Sequence, residues 1–264
     1  MQIQDAVVLI TGASDGIGAA CAKAFRARGA RLFLTGRSEE KLLRVAEPHE
    51  AFLPGDLTQP AFRQQLMDNC IHRFGRIDIL VNNAGVGLYE PAYRASTDWA
   101  RYLFELNFFA PLDLIQRATS VMRQRGQGMI VNVSSLAGKV TLPWFTLYSA
   151  SKFALNSLSE GLQIELKGQG IHVMLVCPGY VDTGFQSHVL GGAVPERVRN
   201  IRRWAISPER CAQDIVRGVE RDAYTVVTPA TGWLFVAFAR LAPGILRSVL
   251  ERIYRQRQPL LGGS

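Results

Sequence analysis

Residues Thr11-Gly12-Ala13-Ser14-Asp15-Gly16-Ile17-Gly18 decide the fold. They follow the apolar run Ala6–Thr11 and open a helix-period segment, Ile17–Arg28. Glycines at such a junction allow a tight turn and let backbone come close to a pyrophosphate. The helix start adds free N–H groups and the positive end of a dipole. Any strand-to-helix loop can carry glycines, so the turn alone says little. A strand before it and a helix after it make it a candidate dinucleotide site.

The rest of the chain repeats that alternation. Strands are predicted at Ala6–Thr11, Arg31–Thr35, Glu50–Leu53, Ile77–Asn82, Met129–Ser134, Ile171–Cys177 and Tyr224–Thr228. Several are unbroken Val/Ile/Leu runs, as in parallel strands buried on both faces. Amphipathic stretches lie between them, among them Pro60–Phe74, Pro111–Arg125 and Phe145–Lys167. The expected fold is α/β, a doubly wound parallel sheet of the Rossmann type. Ligands in such sheets bind beyond the carboxyl ends of the strands.

Composition agrees with this reading. The 264 residues are 48% hydrophobic and 20% charged, ordinary globular material that reads as one domain. Met1 to Asp5 shows no basic region, long apolar core or cleavage site of a signal peptide. The four cysteines, Cys21, Cys70, Cys177 and Cys211, form no CxxC, which suggests reduced thiols in a cytoplasmic compartment. The four histidines show no ligand spacing, so no metal site is expected. Most of the net charge of +8 falls in Val194–Ser264, where twelve arginines face six acids. That concentration suggests an anionic surface or ligand, against the plainer reading of a solvated face. No nucleic-acid motif accompanies the charge.

The end of the second strand bears on the choice of dinucleotide. A carboxylate there would bond the adenosine ribose hydroxyls of NAD. Gly36 takes that place and Arg37 follows. An arginine can pair with the extra phosphate of NADP, which a carboxylate would repel. An exposed surface charge is the alternative reading of Arg37.

Tyr148-Ser149-Ala150-Ser151-Lys152 opens a long helical segment. The i, i+4 spacing puts a phenol and an ammonium one turn apart on one face. A nearby cation is expected to lower the phenol's pKa from about 10 toward the range of general acid–base work. YxxxK alone is common. Here it lies downstream of a nucleotide turn and of a strand ending Val133-Ser134-Ser135.

TGASDGIG, NNAG, Leu106-Asn107-Phe108, VSSLAG, YSASK and CPGYVDT occur in this order over about residues 5 to 185. In order and spacing they resemble the short-chain dehydrogenase/reductase family, including its TGxxxGxG turn. The resemblance implies an NAD(P)-dependent oxidoreductase acting on a small-molecule carbonyl or secondary alcohol. It makes Ser135, Tyr148 and Lys152 catalytic and gives Asn107 a water in the proton path to Lys152. Ser134 would point the other way. The implied cofactor residues are Gly12, Ser14, Gly16, Ile17, Gly18, Arg37, Asp56, Leu57, Asn83, Ala84, Gly85, Tyr148, Lys152, Pro178, Gly179, Val181 and Thr183. Among these, Asp56 would meet the adenine amino group, with Thr58 the better-placed cap for the following helix. Asp15 stands where NADP-preferring relatives often carry a base, so it weakens the phosphate pocket. Even so, NADP(H) is favoured over NAD(H).

The resemblance further implies a substrate lid at 184–206, with Phe185, Val189, Leu190 and Trp204 as its apolar groups. Leu142, Trp144, Phe145 and Tyr180 are candidates for an apolar wall. A C-terminal extension, 230–264, is apolar, rich in arginine and broken at Pro243-Gly244. Its first run is too short to span a bilayer. It can lie on a membrane, cover a subunit of a homo-oligomer, or pack on its own core. Its character is similar to that of ketosphinganine reductases, and VSSLAGKV and YSASKFAL look like hydroxysteroid dehydrogenases. Both point by analogy to a lipid-like ketone. An epimerase or dehydratase using the same Tyr–Lys pair, and a non-catalytic nucleotide sensor or scaffold, are the competing readings.

Overall fold

The computed structural model describes residues 1–191 and 205–255. Seven strands form one sheet: β1 (Val7–Thr11), β2 (Arg31–Gly36), β3 (Ala51–Pro54), β4 (Ile79–Asn82), β6 (Gly128–Val133), β7 (Ile171–Pro178) and β9 (Thr225–Thr228). Their order is β3-β2-β1-β4-β6-β7-β9, and every pairing is parallel. A two-residue strand, β5 (Leu88–Tyr89), pairs separately with β8 (Leu190–Gly191).

Parallel pairing requires crossovers, and helices supply them: α1 (Gly16–Arg26), α2 (Glu39–Val45), α3 (Pro60–Phe74), α4 (Thr97–Phe104), α5 (Ala110–Arg125), α6 (Thr146–Glu165) and α7 (Pro208–Glu220). All five residues of β1 are buried. Val8 and Ile10 enter one core, with Phe25 and Val216; Val7 and Leu9 enter the other, with Leu66 and Leu114. This two-sided burial is why the strand reads as a continuous apolar run.

The winding reverses between β1 and β4, which are paired Val8 to Ile79 through Ile10 to Val81. In open α/β sheets that crevice is where ligands sit. The glycine turn leaves β1 there, and Asn82-Asn83-Ala84-Gly85 leaves β4. Two further helices, α8 (Gly232–Leu241) and α9 (Pro243–Arg255), close the described chain, with the break where Pro243 cannot continue the helix.

One local expectation is corrected. Thr58 does not cap α3. The N-cap is Gln59, without a side-chain hydrogen bond, and Pro60 begins the helix. Asp56 Oδ1 instead accepts from Thr58 N at 2.9 Å, closing an Asx turn that fixes Asp56 at the mouth of the cleft.

Candidate active site

A cleft of about 940 Å³ runs along the carboxyl ends of the strands. At one end the glycine turn forms a cradle. Gly12 and Gly16 take positive φ, 63° and 53°, where a β-carbon is strained. A β-carbon on Gly18 would overlap the Gly12 carbonyl oxygen, so helix and turn touch only because the residue is glycine. Asn83 Nδ2 reinforces the contact by donating to the Thr11 and Gly12 carbonyls at 3.0 and 3.2 Å. Thr11 Oγ1 accepts from Asn83 N and Ala84 N. The turn of β1 and the end of β4 are therefore locked as one unit, and the cradle fits a pyrophosphate at the start of α1.

Ser14, Gly16, Ile17, Arg37, Asp56, Leu57, Asn83, Ala84 and Gly85 all line the cleft, as do Pro178, Gly179, Val181 and Thr183. Gly12 lines it too, whereas Gly18 supports it from behind. The β7 end is tied in by Gly179 N donating to Thr228 O at 2.8 Å and by a bridge from Val181 to Ile206. Thr183 meets the turn itself, since a β-carbon on Gly16 would lie 3.1 Å from its Cβ.

The far end of the cradle holds a group that sequence reading missed. Ser38 caps α2, and Lys41 in its first turn lines the cleft wall, as Arg37 does. Lys41 Nζ lies 3.0 Å from Asp15 Oδ2. Asp15 Oδ1 accepts from Gly16 N at 2.7 Å as the N-cap of α1. Asp15 thus shares its charge between a helix start and a lysine. Arg37 reaches Tyr102 of α4, Nη1 to hydroxyl 3.4 Å. The spacing of Lys41 after a serine cap was a usable signal; Tyr102 had none.

At the other end the proton-transfer groups converge. Tyr148 and Lys152 lie on α6, 8% and 4% exposed. Ser135, at the end of β6, hydrogen-bonds the Tyr148 hydroxyl and accepts from Ala137 N at 3.1 Å. The Ser134 hydroxyl donates to the Lys152 carbonyl at 3.3 Å. Lys152 Nζ donates to Val133 O at 3.1 Å and lies 5.8 Å from the centre of the Tyr148 ring. Phe145 and Phe185 pack on that ring at 5.7 and 5.8 Å.

This packing corrects the expected electrostatics. Burial pushes the Tyr148 phenol up to about 12, and the Ser135 hydrogen bond only partly offsets it. Lys152 lies beside the ring and bonds the Val133 carbonyl, and burial outweighs what would lower the phenol. Its own ammonium is lowered by burial to about 8. At neutral pH the phenol holds its proton and the ammonium is mostly charged. In this arrangement Tyr148 can donate a proton, with Ser135 placed to donate a hydrogen bond and Lys152 as the local positive charge.

Asn107 sits at the centre of a π turn, Glu105–Phe109, between α4 and α5. Such turns are frequent at functional sites. Its side chain accepts from Val86 N and donates to Val86 O, both at 2.9 Å, and to Ser151 Oγ at 3.1 Å. A β-carbon on Gly85 would meet Asn107 Oδ1 at 3.1 Å and Lys152 Nζ at 3.5 Å. Asn107 therefore braces the corner where β4 meets Lys152. Cys177 is a buried free thiol, pushed up to about 11 by burial.

Leu142, Trp144, Phe145, Tyr180 and Phe185 line the cleft as expected, and Tyr89, Leu136, Phe235 and Leu250 join them. Val189 and Leu190 do not line it. Val189 packs behind Tyr89 and Trp144, and Leu190 is paired in β8. Both described ends of the predicted lid are anchored, at Leu190 N to Gly87 O and at Asp182 N to Ile206 O. Trp204 and the rest of 192–204 lie outside the described residues, as do 256–264 of the extension.

A parallel sheet, a glycine cradle at its switch point and a Ser–Tyr–Lys group beside it define a dinucleotide-dependent oxidoreductase. Residues 6–191 match the family profile described as short chain dehydrogenase. The chain is 32% identical to dehydrogenase/reductase SDR family member 7B of Bos taurus, across 97% of this chain and 84% of that protein. It is similar to a solved short chain dehydrogenase of Burkholderia cenocepacia in complex with NADP, with TM-score 0.79 and 26% identity over 95% of this chain and 99% of that one. It also shares the fold of a Burkholderia phymatum short chain dehydrogenase/reductase in complex with NAD, with TM-score 0.84 and 24% identity over 93% and 96% of the two chains. The chain belongs to the short-chain dehydrogenase/reductase family, and it is an NAD(P)-dependent oxidoreductase. The nicotinamide, when bound, supplies or receives the hydride; the protein orients it and moves the proton.

Proposed function

We propose that the chain is an NADP(H)-dependent ketoreductase for an apolar, lipid-like ketone. The carrying observation is the pair Arg37 and Lys41 at the cleft wall beyond β2, where Gly36 leaves no carboxylate. Lys41 also neutralises Asp15, the one acid of the glycine turn. A ribose phosphate is favoured by two cations here.

The substrate side supports an apolar ligand. Tyr89, Leu142, Trp144, Phe145, Phe185 and Phe235 surround the approach to Tyr148. A largely apolar wall selects by area and shape. NADPH and NADH oxidation, measured against a panel from short aldehydes to steroids and long-chain ketones, tests both halves. The expected result is a higher kcat/KM with NADPH and with the larger apolar ketones. Preference for NADH, or for short polar carbonyls, overturns the corresponding half.

A further inference from the structure

Helix α8 touches the protein through Gly232 and Val236, which are buried, and Ala239, which is half-buried. Trp233, Leu234, Ala237, Phe238 and Leu241 are exposed. Their spacing, i, i+1, i+4, i+5 and i+8, places them on one face of the helix. Leu234 is 73% and Leu241 86% exposed. Helix α9 continues the surface with exposed Ile245 and Val249, one turn apart. A helix in water is polar on its free face, and a core helix buries its apolar one. Helix α8 does neither, and Ile245 and Val249 of α9 extend its exposed apolar face.

The charges beside them are almost all positive. Among the described residues of α8 and α9, Arg240, Arg247 and Arg252 are exposed against one acid, Glu251, which Arg247 holds at 3.1 Å. Among the described residues no single helix is long and apolar enough to cross a membrane, and the pair bends by 104° at its break. An apolar face rimmed by arginines suits the boundary between headgroups and acyl chains.

The position of the bend supplies the third argument. A groove of about 630 Å³ runs between α8–α9 and residues 139–146, lined by Val140, Phe153, Ala239 and Leu246 among others. Pro143, Trp144 and Leu250 line both this groove and the catalytic cleft. We propose that α8 and α9 dock the enzyme on an anionic bilayer surface, with the groove as the path from the bilayer to the cleft. A second subunit seated on the same face would close that path; a bilayer leaves it supplied.

The test uses the full chain and phosphatidylcholine vesicles with and without phosphatidylserine. Vesicle binding is read without turnover, so it stands or falls apart from the substrate reading. The intact protein should co-sediment with the phosphatidylserine vesicles and be released by salt. Leu234→Glu with Leu241→Glu should lower the bound fraction tenfold or more, while turnover of a small soluble ketone and the melting temperature hold. Arg240→Gln with Arg252→Gln should weaken binding to the anionic vesicles by roughly thirtyfold. The arginine pair and the salt dependence also test the claim if the glutamates disturb folding. An intact protein that ignores anionic vesicles overturns the proposal. So does undiminished binding of the variants, or a dimer that the glutamates dissociate while no vesicle is bound.

Discussion

Lys41 and Asp15 form an ion pair, 3.0 Å from Nζ to Oδ2, across the phosphate end of the cleft. The pair links the first turn of α2 to the N-cap of α1. Each partner is about half exposed, so the contact itself adds little stability. Its effect is electrostatic, because it sets a cation against the acid of the glycine turn on the cleft wall that Arg37 also lines.

Cofactor discrimination should follow from that arrangement. Arg37→Ala should weaken NADPH roughly ten- to a hundredfold, the loss of one charge-assisted contact, with little change for NADH. Lys41→Ala should act in the same direction, since it removes a cation and leaves Asp15 uncompensated. Dissociation constants for both dinucleotides decide the matter. Equal losses for the two cofactors would show that neither cation reads the phosphate.

Tyr148→Phe keeps the ring that packs against Phe145 and Phe185 and removes the proton. Turnover should fall by roughly two to four orders of magnitude, with dinucleotide affinity retained. Burial holds the phenol near 12, so the wild-type reduction should lose no activity to phenol ionisation between neutral pH and pH 9. A stopped-flow pH profile with a phenol ionisation near 7 would contradict the buried donor.

Lys152 is charged inside a low-polarity corner, and its pKa falls from 10.5 to about 8. Below pH 8 folded and unfolded chains both hold the proton, and the cost of burying it is fully present. Between 8 and 10.5 only the unfolded chain holds it, so this contribution to stability rises with pH. Lys152→Met should therefore be inactive yet more stable at pH 7, by on the order of 1–3 kcal/mol. The gain should shrink as pH climbs through that window. Denaturant melts at pH 7 and pH 10 measure it, and a gain that grows with pH would refute the assignment.

Gly18→Ala places a methyl against the Gly12 carbonyl and 2.6 Å from Asn83 Nδ2. The turn must move off α1, with a cost of about 1–3 kcal/mol from overpacking and a loss of dinucleotide affinity. Calorimetry on the variant checks both. Wild-type affinity would mean that the cradle tolerates displacement.

Much of this was legible because parallel strands buried on two faces leave unbroken apolar runs. All seven strands of the main sheet lie within two residues of their predicted limits. The two-residue strands β5 and β8 are too short to carry a period. Tyr148 and Lys152 stood out because i, i+4 spacing puts them on one helix face, while Ser135 came from the family resemblance. Lys41 escaped notice because its role depends on where a capped helix turns. Tyr89, Phe235 and Leu250 come from distant segments, and only packing brings them together. The altered acidity of Tyr148 was unreadable for the same reason, since burial is a property of the packed site.

The contact of Thr183 with Gly16 joins the first turn of the sheet to the loop after its penultimate strand along the chain. A ribosome must therefore complete β7 and the loop beyond it before the two meet. The cradle and that loop line one continuous cleft, so occupancy is linked to the assembled sheet more than to its first half. Saturating dinucleotide should then slow amide exchange in β1 and β7 together, acting as a mass-action clasp on the whole fold.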